Sequence, residues 1–363
     1  MSDRLSRLKK ILKENNLDAA LISSLPNIMY LTDFTHFYDE EREAFLVITQ
    51  KNNYILTDKR YTHAVQKYVK NFELREIFYG HGFADLMRQI AKDEKLTHLG
   101  IEEDNITYAE YKKIAPHFKT IHHLDLSSFR AVKSLDEIAK LTKACEISDA
   151  AYVHILNFIK EGMTEKEIAL EMELFIKGQG ADLSFPSIVA FEENAAFIHH
   201  QTSNRQLHHG DTILIDFGAK YQSYCADLGR TVFFGKTSPE KKKAYHAVIA
   251  AQEKAISFIK EKLANNETLY EPDADNAARE YLTKLGYDSF PHGLGHGIGL
   301  QVHELPHLRP PAKNIVTEGM VFSNEPGVYR HNKFGIRIED DFTIQGNKLV
   351  QLTNSTRELI ELK

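Results

Sequence analysis

The stretch "HGLGHGIGLQVHELPH", His292 to His307, decides how this chain is read. Its end, His303-Glu304-Leu305-Pro306-His307, matches the H-E-x-x-H pattern of zinc proteases letter for letter. That pattern works only on a helix, where residues four apart share a face. Pro306 removes a helix hydrogen bond and clashes one turn back, and Pro310 and Pro311 follow closely. No periodic helix continues here, so the helical zinc reading is rejected. The glycines matter more, because they permit tight bends and close backbone approach. "GLGHGIG" can therefore curl around something with His296 at its middle. A lone histidine is more often structural than a ligand, so the case rests on its companions.

Those companions are acids placed where strands should be apolar. In "DTILIDFG" (211–218) Asp216 ends an apolar strand, and "YQSYCADLGRTVFF" returns antiparallel with Asp227 about to enter the next apolar run. A hairpin or β-bend can set two such residues side by side. Two adjacent buried carboxylates repel, and each is costly unpaired; a bound cation resolves both problems. The bland alternative is a pair of loop acids at strand ends, where Asp is common. The oddity recurs downstream. "MVFSNEPGVY" puts Glu325 between an apolar strand and a Pro-Gly turn. "GIRIEDDF" alternates as a strand, so Arg337 and Glu339 share one face and Ile336 and Ile338 the other. The alternatives there are a turn acid and the solvated face of an edge strand.

Around these motifs the chain reads as two domains, as its 363 residues suggest, since single cores usually stop growing at about 250–300 residues. The first 125 residues alternate helix-like and strand-like segments, with strands at 44–49, 53–58, 73–79 and 98–102, and imply a compact α/β unit. Two capping boxes then open helices: Ser134 with Glu137, and Thr164 with Glu167. From residue 183 strands dominate, interrupted by helices near 239–262 and 272–285, so the second domain reads as α+β with mostly antiparallel strands. The boundary is set at 128/129, giving domains 1–128 and 129–363.

Composition narrows the function classes. Hydrophobic residues make up 42% and charged residues 26%, the net charge is −6, and basic residues are dispersed, so nucleic acid and anionic membranes are not expected partners. No apolar run approaches the roughly 18 residues of a membrane span. The charged N-terminus has no signal-peptide core. Two cysteines, Cys145 and Cys225, provide no disulfide framework, which fits a reducing cytoplasm.

The fragments "IDFGAKYQSYCADLGRT", "HGLGHGIGLQVHE", "NEPGVY" and "RIED", in this order, resemble the pita-bread metallopeptidase family, M24. That family includes Xaa-Pro aminopeptidases, prolidases and methionine aminopeptidases. "NIMYLTDFT" (27–35) resembles the creatinase-type N-terminal domain of its proline-specific branch. The resemblance implies an α/β creatinase-type domain followed by an α+β pita-bread catalytic domain. It also implies five ligands, Asp216, Asp227, His296, Glu325 and Glu339, with Asp227 and Glu339 bridging two divalent metals. Four carboxylates and one imidazole suit Mn²⁺ first, with Co²⁺, Fe²⁺ or Zn²⁺ as alternatives. By the same resemblance His199, His292 and His303 are outer catalytic histidines, and Glu325 also carries the proton. Arg337 is expected to grip a carboxylate with two hydrogen bonds. The implied reaction is hydrolysis of Xaa-Pro bonds in dipeptides or short peptides by a metal-bridging hydroxide, in a homodimeric cytoplasmic enzyme. Two departures stand out: Gly229 where many relatives have Thr, and no Ser-Gly-Pro before Asn194. The alternatives are a methionine aminopeptidase-like exopeptidase and a non-catalytic binding protein on the same fold. Creatinase lacks the metal set, so the five intact residues argue against it.

Overall fold

The computed structural model describes residues 2–38 and 41–363. The chain forms two compact units, residues 1–126 and 127–363. The first is built on a six-stranded mixed sheet in the order Glu73–Ile77, Asn53–Asp58, Ala44–Thr49, Ala19–Ile22, His98–Ile101, Thr120–His123. Ala44–Thr49 is buried along its whole length, as expected for a central strand covered on both faces. Two elements give no clear periodic signal in the sequence: the helix Leu25–Thr32 and the strand Thr120–His123. The helix is instead fixed from afar. The buried Glu102 carboxylate accepts from Ser24 N at 2.8 Å, Ser24 Oγ at 2.6 Å and Asn27 Nδ2 at 2.5 Å.

In the second unit both capping boxes form, opening the helices Leu135–Phe158 and Glu165–Gly178. These helices pack on one face of a four-stranded sheet ordered Glu361–Leu362, Leu228–Phe234, Thr212–Phe217, Ile188–Phe191. A second helix pair, Pro239–Ala264 and Glu271–Lys284, packs around Phe322, Phe342 and Ile344 of a five-stranded sheet. Its order is Glu304–Leu308, Gly295–Gly297, Val321–Asn324, Asp340–Gln345, Lys348–Gln351. The strands are mostly antiparallel; Phe233 and Phe234 pair in parallel with Glu361 and Leu362. Strand periodicity then does the sorting. Ile213, Ile215 and Phe217 face the helices, each fully buried side chain contributing about 1.5–3 kcal/mol. Asp216, between two of them, points the other way.

His303 to His307 do not form a helical zinc motif, as Pro306 leads one to expect: Glu304–Leu308 is a strand. One sequence expectation changes here. "GIRIEDDF" is not one continuous strand. Phe334–Arg337 pairs with Gly327–Arg330, and Asp340–Gln345 pairs with Val321–Asn324. The chain changes partners at Ile338 and Glu339, where Glu339 N donates to Gly229 O at 2.9 Å.

The fully buried Arg230 holds that crossover. It donates to Asp340 Oδ1 at 2.6 Å, Ser355 O at 2.7 Å, Gly229 O at 2.9 Å and Thr356 O at 3.0 Å, and also to Glu339 O. Removing one partner of a buried ion pair leaves the other charge uncompensated. Arg230→Met is therefore expected to cost about 3–5 kcal/mol in urea unfolding of the full-length protein. A loss below about 1 kcal/mol would show that Asp340 is not held by this pairing.

Candidate metal centre

A cleft of about 380 Å³ gathers every site residue singled out from the sequence: His199, Asp216, Asp227, His292, His296, His303, Glu325, Arg337 and Glu339. Antiparallel pairing of Thr212–Phe217 with Leu228–Phe234 sets Asp216 opposite Gly229, two residues beyond Asp227. The three-residue strand Gly295–Gly297 brings His296 in, with an irregular register between His296 and Gly297. The glycines on either side are required. A Cβ at Gly295 would lie 2.0 Å from Ser323 O, and one at Gly297 would lie 2.0 Å from Leu305 O. Gly229 has a similar cause: a Cβ there would stand 2.9 Å from Glu339 Cβ and Oε2, in space that Glu339 occupies.

Asp227, His296 and Glu339 each present a ligand atom within 4.8 Å of the others. His296 Nε2 lies 3.7 Å from Asp227 Oδ2 and 3.4 Å from Glu325 Oε1. Arg337 is buried, but its grip is single-pronged and falls on Asp216 Oδ2; the expected two-pronged bond is not formed. Its other nitrogen, Nη1, donates to Tyr329 OH at 2.9 Å, and that hydroxyl lies 2.8 Å from His292 Nε2. Asp341 Oδ2 accepts from Asp227 N at 2.9 Å. Tyr329 and Asp341 were missed in the sequence. Alternation carried a signal for both, because Glu325, Gly327 and Tyr329 are two apart, as are Arg337, Glu339 and Asp341. His303 stacks edge-on against His296, ring centroids 4.1 Å apart, while His307 also lines the cleft and is the register partner of His296.

The electrostatics are those of a site short of positive charge. Burial, reinforced by Glu339 and Asp216, drives the Asp227 carboxyl well above its ordinary range. Burial and the charges of Glu325 and Asp216 do the same to Glu339. Burial lifts Asp341 to about 8. Glu325 goes the other way: although burial opposes it, the hydrogen bond from His296 and the neighbouring His292 hold it at about 2. Burial, helped by His296, lowers His303 to about 4. Asp216 Oδ1, Asp227 Oδ1 and Glu339 Oε1 are buried without a hydrogen-bond partner. Buried carboxylate oxygens are normally satisfied, so three orphans converging on one cleft fit a cation-binding set. The donors are hard oxygens with one imidazole, the chemistry of a divalent-metal site.

Comparison with known proteins identifies the family. Residues 139–346 match metallopeptidase family M24, and residues 4–138 match the creatinase/prolidase N-terminal domain. The uncharacterized peptidase YqhT of Bacillus subtilis is 34% identical over 99% of this chain and 100% of its own length. The structure of an Xaa-Pro dipeptidase from Bacillus anthracis superposes with a TM-score of 0.92 at 32% identity, covering 99% of each chain. That of an X-Pro aminopeptidase from Thermotoga maritima gives a TM-score of 0.85 at 33% identity, over 98% of this chain and 99% of that one. With a creatinase-type domain ahead of a pita-bread domain that carries the cleft, this chain belongs to metallopeptidase family M24.

Proposed function

We propose that this protein is an exopeptidase that hydrolyses Xaa-Pro bonds of dipeptides or short peptides, with Asp216, Asp227, His296, Glu325 and Glu339 as ligands of two divalent cations. The observation that carries the reading is the convergence of three unpartnered buried carboxylate oxygens beside His296 in one cleft. The similarity to Xaa-Pro dipeptidases and aminopeptidases along the whole chain supplies the substrate class. When bound, such a cation pair supplies Lewis acidity and a water acidified toward neutral pH. Manganese is the first expectation, since hard oxygen ligands dominate.

The chain's own residues supply the rest. Glu325, set beside His296 and His292, takes the proton of the attacking water and passes it to the leaving proline nitrogen as the C–N bond breaks. His303 and His199 donate N–H to the developing oxyanion. Arg337 and Tyr329 fix Asp216 and His292 in place. Phe185, Ile188, Ile198 and Val302 offer an apolar wall to a pyrrolidine ring. The family resemblance adds a homodimer. A reducing cytoplasm suits Cys145 and Cys225, both buried. Among the described residues no helix is long and apolar enough to cross a membrane.

Manganese-loaded protein is expected to release proline from Xaa-Pro dipeptides, or the first residue from Xaa-Pro peptides, and to leave Met-Ala peptides nearly untouched. Preferential cleavage of Met-Ala peptides would move the assignment to a methionine aminopeptidase.

If Asp227 serves both metals, Asp227→Asn should bind clearly fewer than two metals per chain and lose nearly all turnover. Elemental analysis finding two firmly held metals with normal turnover would refute the bridging role.

His303→Ala is expected to lower kcat by about 10²–10³-fold with metal retained, as for loss of an oxyanion donor. His307→Ala should have only a small effect. Metal loss in both variants would revive the H-E-x-x-H reading.

A further inference from the structure

The two adjacent histidines of "AAFIHH" face different surroundings. Ile198 and His199 line the cleft, whereas His200 Nε2 lies 2.7 Å from Glu165 Oε2. Glu165 is the first residue of the helix Glu165–Gly178, and its side chain is fully buried. Its carboxylate also accepts from Phe191 N at 2.8 Å, Asn194 Nδ2 at 2.9 Å, Ser203 N at 2.8 Å and Ser203 Oγ at 2.6 Å. A carboxylate has about four lone-pair sites, so this one is saturated. Every one of those donors comes from the segment 191–203. The helix start adds backbone bonds to the same region, Glu165 N to Arg205 O and Lys166 N to Ser203 O, both 3.2 Å. Those bonds also satisfy amides that a helix N-terminus otherwise leaves open. His199 itself makes no hydrogen bond among the described residues, so its direction is set by the turn that carries it.

We propose that Glu165 and His200 are positioning residues: the Glu165 carboxylate clamps the segment 191–203, and His200 is the peg that turns its neighbour His199 into the cleft. The inference rests on the peptidase reading above for what His199 does there. His200 is the residue to vary, because Glu165 has four other hydrogen bonds to the segment.

The experiment uses the full-length, manganese-loaded protein. It combines steady-state kinetics on an Xaa-Pro dipeptide with hydrogen–deuterium exchange over residues 191–205. His200→Ala should lower kcat about 10- to 100-fold with metal content unchanged, the usual cost of a displaced group. His200→Gln, which restores an N–H donor, should recover most of that loss. In a His199→Ala background, adding His200→Ala should change kcat by less than about twofold, since the pair acts as one unit. Exchange in 191–205 should quicken in His200→Ala and stay slow in His199→Ala. An equal fold-loss from His200→Ala in both backgrounds overturns the proposal, as does unchanged exchange. If the parent protein cleaves no Xaa-Pro peptide, the functional reading fails, and the exchange arm alone then decides the clamp.

Discussion

Four carboxylates and an imidazole crowd one buried cleft, and the second unit is arranged around that constraint. Two like charges 4 Å apart repel by about 4 kcal/mol at the effective dielectric of a protein surface. Such a cluster persists only where rigid elements hold it. The holding is visible in Arg337 on Asp216, in Arg230 beneath the strand crossover, and in helix pairs packed behind each sheet. Asp216 sits inside a strand, and the ring of His296 is carried on another. Sites built on strands keep tighter geometry than sites on loops, which suits groups that would otherwise drift apart.

Much of this was legible in the sequence because it is local. Alternation in "TILIDF" shows that Asp216 cannot share the face of Ile213 and Ile215. Ser134 with Glu137 and Thr164 with Glu167 announce helix starts over four residues, and both boxes form. Pro306 rules out the helix that H-E-x-x-H needs, and the segment is a strand. What was not legible depends on partners distant in the chain. The helix Leu25–Thr32 is tied down by Glu102, and alternation sets Tyr329 on the face of Glu325 without revealing its partners Arg337 and His292. Alternation through "GIRIED" also misled. It keeps Arg337 and Glu339 facing one cleft but gives no sign that the chain changes sheets between them.

At Gly229 the structure adds a spatial reason to the departure from the family pattern. From the sequence the position is a glycine where many relatives have Thr, and so lacks that hydroxyl. In the structure it is space, filled by Glu339, whose backbone amide bonds to the Gly229 carbonyl.

The crossover at Ile338 and Glu339 has a further consequence for how the protein is made. The candidate ligands run from Asp216 to Glu339, and Arg230 takes its last partners from Ser355 and Thr356. The sheet of the first unit, by contrast, is complete by His123. Domains fold largely as units while the ribosome is still adding residues. A nascent chain can therefore finish its first unit long before the last ligand has left the exit tunnel. Through that interval Asp227 and His296 are without Glu339, and the cleft is incomplete.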